Sequence, residues 1–184
     1  MRELQLTLYT YASSPMIIAK IWRYGKGYNK PVNCDMLFDT GATMTTIDKT
    51  LAIRAGYSLK NAEDVVISGI GRSRFPAQRI VIPYLELDGN DLGAVSVDVT
   101  EFPEHSNIAA ILGMNVIRHF KCTFNIYNEV EKQAAQDSDG LITLCPKYDL
   151  DEKDSIESFN VCQSRFGIWS VNSELHFRKT STLE

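Results

Sequence analysis

Over residues 1–128 the chain advances in short apolar segments of period two, and Gly, Pro, Asn or Asp interrupts each before it grows long. That spacing suits strands and hairpins and denies a helix a continuous apolar face, so it constrains this stretch to an all-β unit. Leu4, Leu6 and Leu8 alternate with polar residues, and Met16–Tyr24 and Val32–Phe38 read as the next strands, joined through the turn-rich loop Gly25–Pro31. Asp48–Gly56 opens on a capping residue and closes on glycine, the signature of a short helix. Val65–Ile67 and Arg79–Ile82 flank the tip Ser68-Gly-Ile-Gly-Arg72 and form a long hairpin with a mobile end. Leu85–Leu87 and Ala94–Val99 make a further pair about Asp88-Gly89-Asn90. Ile108–Gly113 then leads into a short helix over Met114–Phe120, and Cys122–Tyr127 returns to strand.

From Glu129 the character changes. Residues 129–184 hold 11 acidic and 6 basic side chains, against 12 and 13 in residues 1–128. One domain with an appendage follows from this: a folded unit over 1–128 and an acidic, partly strand-forming extension over 129–184. Glu129–Gly140 and Asp149–Glu157 are poor in apolar residues and read as exposed or mobile connections. Phe159–Cys162, Phe166–Val171 and Glu174–Arg178 keep enough β-formers to add two or three strands.

Charge and hydropathy narrow the classes of partner. With 19 basic and 23 acidic residues the net charge is -4, so no basic field exists to neutralise phosphates, and nucleic acid is not an expected partner. No stretch approaches the roughly 20 apolar residues of a spanning helix, so no membrane partner is expected. The N-terminus alternates polar and apolar residues instead of presenting a basic segment and an apolar block, and a cytoplasmic location is the expectation. Cys34, Cys122, Cys145 and Cys162 are far apart and form no C-x-x-C pair; they read as reduced, structural thiols.

One segment carries chemistry: Met36-Leu-Phe-Asp-Thr-Gly-Ala-Thr-Met-Thr-Thr-Ile47. An apolar strand delivers the carboxylate of Asp39 into a tight turn of Thr40, Gly41 and Ala42, small residues that let backbone and hydroxyl donors crowd around it. A carboxylate so held in one orientation suits proton transfer. An Asx-type turn between strand and helix would use the same triplet, so the turn alone leaves both readings open.

Context adds to it. Leu37-Phe38 precede Asp39, the sequence Ile111-Leu-Gly-Met-Asn115 opens a helix about 70 residues later, and the glycine-tipped hairpin lies between them. In these three elements, and in their order, residues 14–128 resemble the retropepsin-like aspartic proteases. The resemblance implies a small closed β-barrel of the acid-protease type, with one or two short helices and a flap hairpin. It makes Asp39 the catalytic acid, Thr40 a brace between two active-site turns, and Gly41 a residue whose carbonyl faces substrate. It puts Ile70 at the flap tip between Gly69 and Gly71, and Leu37, Ala42 and Ile111 along the substrate. Viral members carry an acid after the alanine and an arginine after Ile-Leu-Gly; this chain has Thr43 and Met114, so that ion pair is missing. Thr45 and Asn115 remain and are expected to hydrogen-bond each other. The family's termini usually build the dimer sheet, and the long extension here departs from that pattern.

The number of acids supplies the central inference. Aspartic-protease chemistry needs two carboxylates sharing a proton about a water, and the chain has one Asp-Thr-Gly; Asp137-Ser-Asp-Gly140 interposes an extra acid and lacks an apolar lead-in. An active enzyme of this type is therefore a homodimer with Asp39 from each chain. Like charges about 3 Å apart do not both ionise, which gives a bell-shaped pH dependence on the acid side. The resemblance implies that substrates are extended peptides with apolar residues flanking the cut. The alternative is a retropepsin-fold module, catalytically weak or inactive, that binds peptides or dimerises.

Other constellations are weak. Gly69-Ile-Gly71 begins a G-x-G-x-x-G pattern, but Arg74 occupies the third glycine's place and no βαβ unit follows. His105, His119 and His176 show no ligand spacing, so no metal and no cofactor are expected. His119 and Cys122, three apart at a helix exit, read as ordinary packing.

Overall fold

The computed structural model describes residues 3–11, 14–22, 30–69, 73–103, 106, 108–135, 138–147 and 168–169. The tip residues Ile70, Gly71 and Arg72, most of the Gly25–Pro31 loop, and most of the tail lie outside them.

Strands dominate. β1 (Leu4–Tyr11) buries Leu4, Leu6 and Leu8 and turns its polar residues outward, as the alternation requires. It pairs over its first half with β12 (Gly140–Pro146) and over its second half with β2 (Ser14–Trp22). Two carboxylates pin the crossing: Asp88 accepts the Thr7 amide and hydroxyl at 2.7 and 2.6 Å, and Asp139 accepts the same pair from Thr10 at 2.7 and 2.6 Å. The Thr10 hydroxyl and the Lys132 ammonium hold the Asp139 carboxyl down to about 2.

β2 runs antiparallel to β3 (Val32–Phe38), which runs parallel to β10 (Ala110–Leu112). β4 (Thr46–Asp48) lies between β10 and β9 (Ala94–Thr100). β9 continues to β6 (Arg74–Ile82), and β6 to β5 (Glu63–Ser68). At the other end β11 (Phe120–Ile126) pairs with β12 in full register, from Phe120 opposite Pro146 to Ile126 opposite Gly140.

Among the described residues the ladder is open, with β11 and β5 at its two ends, and its strands do not close into the barrel expected from the sequence. The switch of β1 from one partner strand to another divides the strands instead of carrying them round in a ring. Ile17, Met36, Val95, Leu112 and Leu144 lie in one continuous apolar core. None of these five side chains is accessible.

The helices are short. α1 (Lys49–Arg54) is capped by Asp48, whose carboxylate accepts the Thr50 amide at 2.8 Å, and the chain leaves it through Gly56 at φ 84°. α2 (Met114–Ile117) follows β10 directly. α3 (Glu129–Ala134) gives the expected exposed connection a helical form, with none of its residues buried. Asn128 and Glu131 form a capping box there, which nucleates a helix that no apolar face would support.

The pairing about Asp88-Gly89-Asn90 also differs from expectation. β7 (Tyr84–Leu87) folds back on the two-residue β8 (Asn90–Asp91) through Asp88 at φ 44° and Gly89 at φ 82°, a left-handed two-residue turn. Gly93 at φ 72° then diverts the chain, and β9 takes β6 as its partner. In the tail, β13 (Ile168–Trp169) pairs with Val95 and Ala94 of β9, within the expected Phe166–Val171 segment. The Phe159–Cys162 and Glu174–Arg178 strands fall outside the described residues.

Candidate active site

β3 and β10 lie side by side in parallel, Leu37 opposite Ile111 and Phe38 opposite Leu112. Asp39 is the first residue beyond this ladder, and its amide donates to the Leu112 carbonyl at 3.1 Å. The turn then closes on the acid. The Gly41 amide donates to Asp39 Oδ1 at 2.7 Å and the Ala42 amide to the Asp39 carbonyl at 3.3 Å. A Cβ at Gly41 would stand 3.1 Å from that carboxylate oxygen, so glycine allows the backbone to approach the acid closely. Asp39 is half-buried, and Thr40 and Gly41 are exposed.

Beneath the turn lies a buried polar lock. Asn115 Oδ1 accepts the Thr45 amide at 2.7 Å and its hydroxyl at 2.8 Å, the contact expected from the sequence. Asn115 Nδ2 donates to the Ser96 carbonyl at 2.9 Å, and the Gly113 amide donates to Thr45 Oγ1 at 3.2 Å. Thr45 is inaccessible and Asn115 is 2% exposed, so these bonds act in a low-dielectric interior and each donor needs its acceptor. Positions 43 and 114, which lack the family's ion pair, are secured through the backbone. The Met114 amide donates to Ala42 O at 2.7 Å and the Asn115 amide to Thr43 O at 3.0 Å. Gly113 is sterically required here: a Cβ would lie 2.4 Å from the Met44 carbonyl carbon.

Leu37 and Ile111, directly paired, are both half-buried, while Met36 and Phe38 on the opposite face of β3 are buried. Ala42 is half-buried in the turn. The structure thus brings Leu37, Asp39, Thr40, Gly41, Ala42 and Ile111 into one neighbourhood. Gly69 stands apart at the end of β5, exposed, with its amide donating to Ser73 O at 2.8 Å; Ile70 and Gly71 are outside the described residues.

Two residues that support the site escape a reading of motifs. Arg79 on β6 grips Asp98 on β9 with Nε at 2.8 Å and Nη2 at 3.2 Å, and the Asp98 amide donates to Thr45 O at 2.9 Å. The base of the hairpin is thereby tied to the strand that supports the lock. The available signal was a lone acid within the apolar run Val95-Ser-Val-Asp-Val99. Burial pushes the Cys34 thiol up to about 12 and raises that of Cys122 as well, so neither is activated. Among the described residues no group of three His, Cys, Asp or Glu gathers to hold a metal, and no helix is long and apolar enough to cross a membrane.

The aspartyl protease family model matches residues 25–116, half of the chain, and this span contains the Asp39 turn, the hairpin and the Gly113–Asn115 helix entry. No curated protein matches. Among solved structures, a retropepsin-like aspartic protease from Rickettsia conorii is similar, with 17% identity, 78% of this chain and 90% of that chain covered, and a TM-score of 0.48. The Asp39 turn, the hairpin and the helix entry all lie within the matched span, and the chain belongs to the aspartyl protease family.

Proposed function

We propose that the protein is an aspartic endopeptidase that works as a homodimer, with Asp39 of each chain facing one catalytic water. The observation that carries this reading is the placement of the acid: a half-buried carboxylate, held by the Gly41 amide, on a turn seated over a fully bonded floor. The ionised Asp39 takes a proton from water as the oxygen attacks the scissile carbonyl carbon, and the protonated Asp39 donates to the carbonyl oxygen. Collapse of the adduct breaks the C–N bond: the leaving nitrogen takes the proton that one Asp39 drew from water, and an adduct hydroxyl returns its proton to the other Asp39.

Thr40 braces the two turns, and Gly41 presents its carbonyl to the substrate backbone. Leu37, Ala42 and Ile111 line the bound peptide, and Gly69, Ile70 and Gly71 close over it as a flap. The catalytic unit spans residues 1–128, and residues 129–184 form an acidic extension that lends it β12. The reduced thiols Cys34, Cys122 and Cys145 fit a cytoplasmic setting.

The test is mass-spectrometric profiling of a diverse peptide library from about pH 4 to pH 7, with wild-type and Asp39→Asn proteins side by side. Cuts confined to the wild type, on the acid side and flanked by apolar residues, are expected. Cuts by both proteins would exclude the mechanism. No cuts by either folded protein would move the reading to a peptide-binding or dimerisation module of the same fold.

A further inference from the structure

β1 changes character where it changes partner. Up to Leu8 it pairs with β12, and the residues that alternate with its buried leucines are the polar Gln5 and Thr7. From Tyr9 it pairs with β2, and the same alternation now carries Tyr9 and Tyr11, 37% and 52% exposed. An outward strand face is ordinarily polar, so two successive large rings on it call for a contact outside the core.

The ladder register shows what the rings adjoin. Directly opposed residues of paired strands share a face. Tyr9 lies opposite Met16, Met16 opposite Leu37 and Leu37 opposite Ile111, so these residues form one row across β1, β2, β3 and β10. Tyr11 is next to Tyr9 on that face, opposite Ser14. The other face of the same strands is core, where Leu8, Ile17, Met36, Phe38 and Leu112 are all buried. Within the row Met16 is 5% exposed and closes the floor, while Leu37 and Ile111 are half-buried. Asp39 stands two residues beyond Leu37, so the row leads up to the acid. Its far end has a fixed backbone: the amide and hydroxyl of Thr10, between the two tyrosines, both donate to Asp139, at 2.7 and 2.6 Å.

We infer that Tyr9 and Tyr11 are specificity-determining residues, forming a second apolar seat for the substrate side chain two positions from the one that rests on Leu37 and Ile111. The inference rests on the endopeptidase reading above and gives it a substrate class, extended peptides with the pattern apolar-x-apolar beside the cut.

The spacing fits this pattern. Neighbouring strands lie about 4.8 Å apart, which sets the Tyr9 backbone about 10 Å from that of Leu37, whereas an extended peptide repeats its face about every 6.7 Å. A peptide that crosses β3 and β2 towards β1, with one side chain over Leu37, therefore brings the next side chain of that face between Met16 and Tyr9. The intervening side chain points away from the row and is not selected by it. Tyrosine suits the task, since it offers a large apolar ring with few rotatable bonds and keeps its hydroxyl in water.

Kinetics on matched peptides test the inference. In a peptide that the wild type cuts, the third residue from the cut is varied among phenylalanine, leucine and alanine, on either side of the cut. The wild type is expected to favour phenylalanine or leucine over alanine by about tenfold in kcat/KM. Tyr9→Ser with Tyr11→Ser is expected to level that preference and to keep the preference at the residue adjacent to the cut. Tyr9→Phe with Tyr11→Phe is expected to retain both, because the rings and not the hydroxyls make the seat. A serine variant that keeps the wild-type preference would overturn the inference and leave the endopeptidase reading intact. An equal fall for all three peptides, accompanied by weakened association in sedimentation equilibrium, would also overturn it, by assigning the tyrosines to a contact between subunits. Should the double serine variant fail to fold by circular dichroism, Tyr11→Ser alone, at the more exposed ring, carries the test; a reduced preference is expected and an unchanged one would contradict the inference. A wild type that cuts no peptide would remove the endopeptidase reading and the inference with it.

Discussion

Thr45 and Asn115, beneath the acid, are buried and bond through backbone and side chain alike, whereas Val66 and Phe75 on the β5–β6 hairpin leave 64% and 49% of their surface in solvent. Floor and hairpin belong to one ladder and serve one site in the proposed enzyme, but their tolerances are opposite. A general acid or base must be held to a fraction of an ångström, which favours a floor with one arrangement. A hairpin that closes over a peptide must open again, which favours few buried contacts. The two glycines make the contrast concrete. A Cβ at Gly113 would meet fixed backbone at 2.4 Å, whereas a Cβ at Gly69 would meet side chains, the ring edge of the exposed Phe75 at 3.0 Å and Ser73 Cβ at 3.7 Å.

Gly113→Ala is therefore expected to have the largest effect, a loss of about 4 kcal/mol or more in urea unfolding, because backbone cannot swing aside. An alanine tolerated there would mean that the floor is looser than its bonds imply. Asn115→Ala comes next at about 3 kcal/mol, since it strands the buried Thr45 amide and the Ser96 carbonyl. Arg79→Met tests the tie between the two regions. It leaves the 3%-exposed Asp98 carboxylate without its guanidinium, for a loss of about 2 kcal/mol, moderated because Arg79 is partly in solvent. Amide exchange in Arg79→Met should accelerate in β5 and β6 before it does in β3; uniform acceleration would erase the distinction. Gly69→Ala should shift stability by no more than about 0.5 kcal/mol. It should still lower kcat/KM in the peptide assay, by stiffening the hairpin beside its tip.

Much of this was legible because the floor is local chemistry. Asp-Thr-Gly at a strand end specifies its own turn, and Thr45 and Asn115 sit at fixed offsets from the motifs that bring them together. The residues that escaped were those whose partners are set by the ladder. Nothing in the neighbourhood of Arg79 or of Asp98 names the other, because their contact exists only once β6 lies beside β9. The seven residues of β12 are hard to read from the sequence for a similar reason. Leu141-Ile-Thr-Leu-Cys145 follows an acidic helix whose capping box, Asn128 with Glu131, is a weak signal, and its place between β1 and β11 depends on Asp139 holding Thr10. Closure is not legible in β1, because its alternation specifies a face but not which neighbour the strand takes, and β1 takes two.

In the proposed enzyme one site is made from two copies of Asp39. Titrating the wild type with Asp39→Asn protein at constant total concentration, allowing subunits to exchange, and measuring initial cleavage rates tests it most directly. If both acids are needed, activity falls as the square of the wild-type fraction, to about one quarter in an equal mixture. A linear decline, to about one half in the equal mixture, would mean that each chain acts alone and would contradict the account.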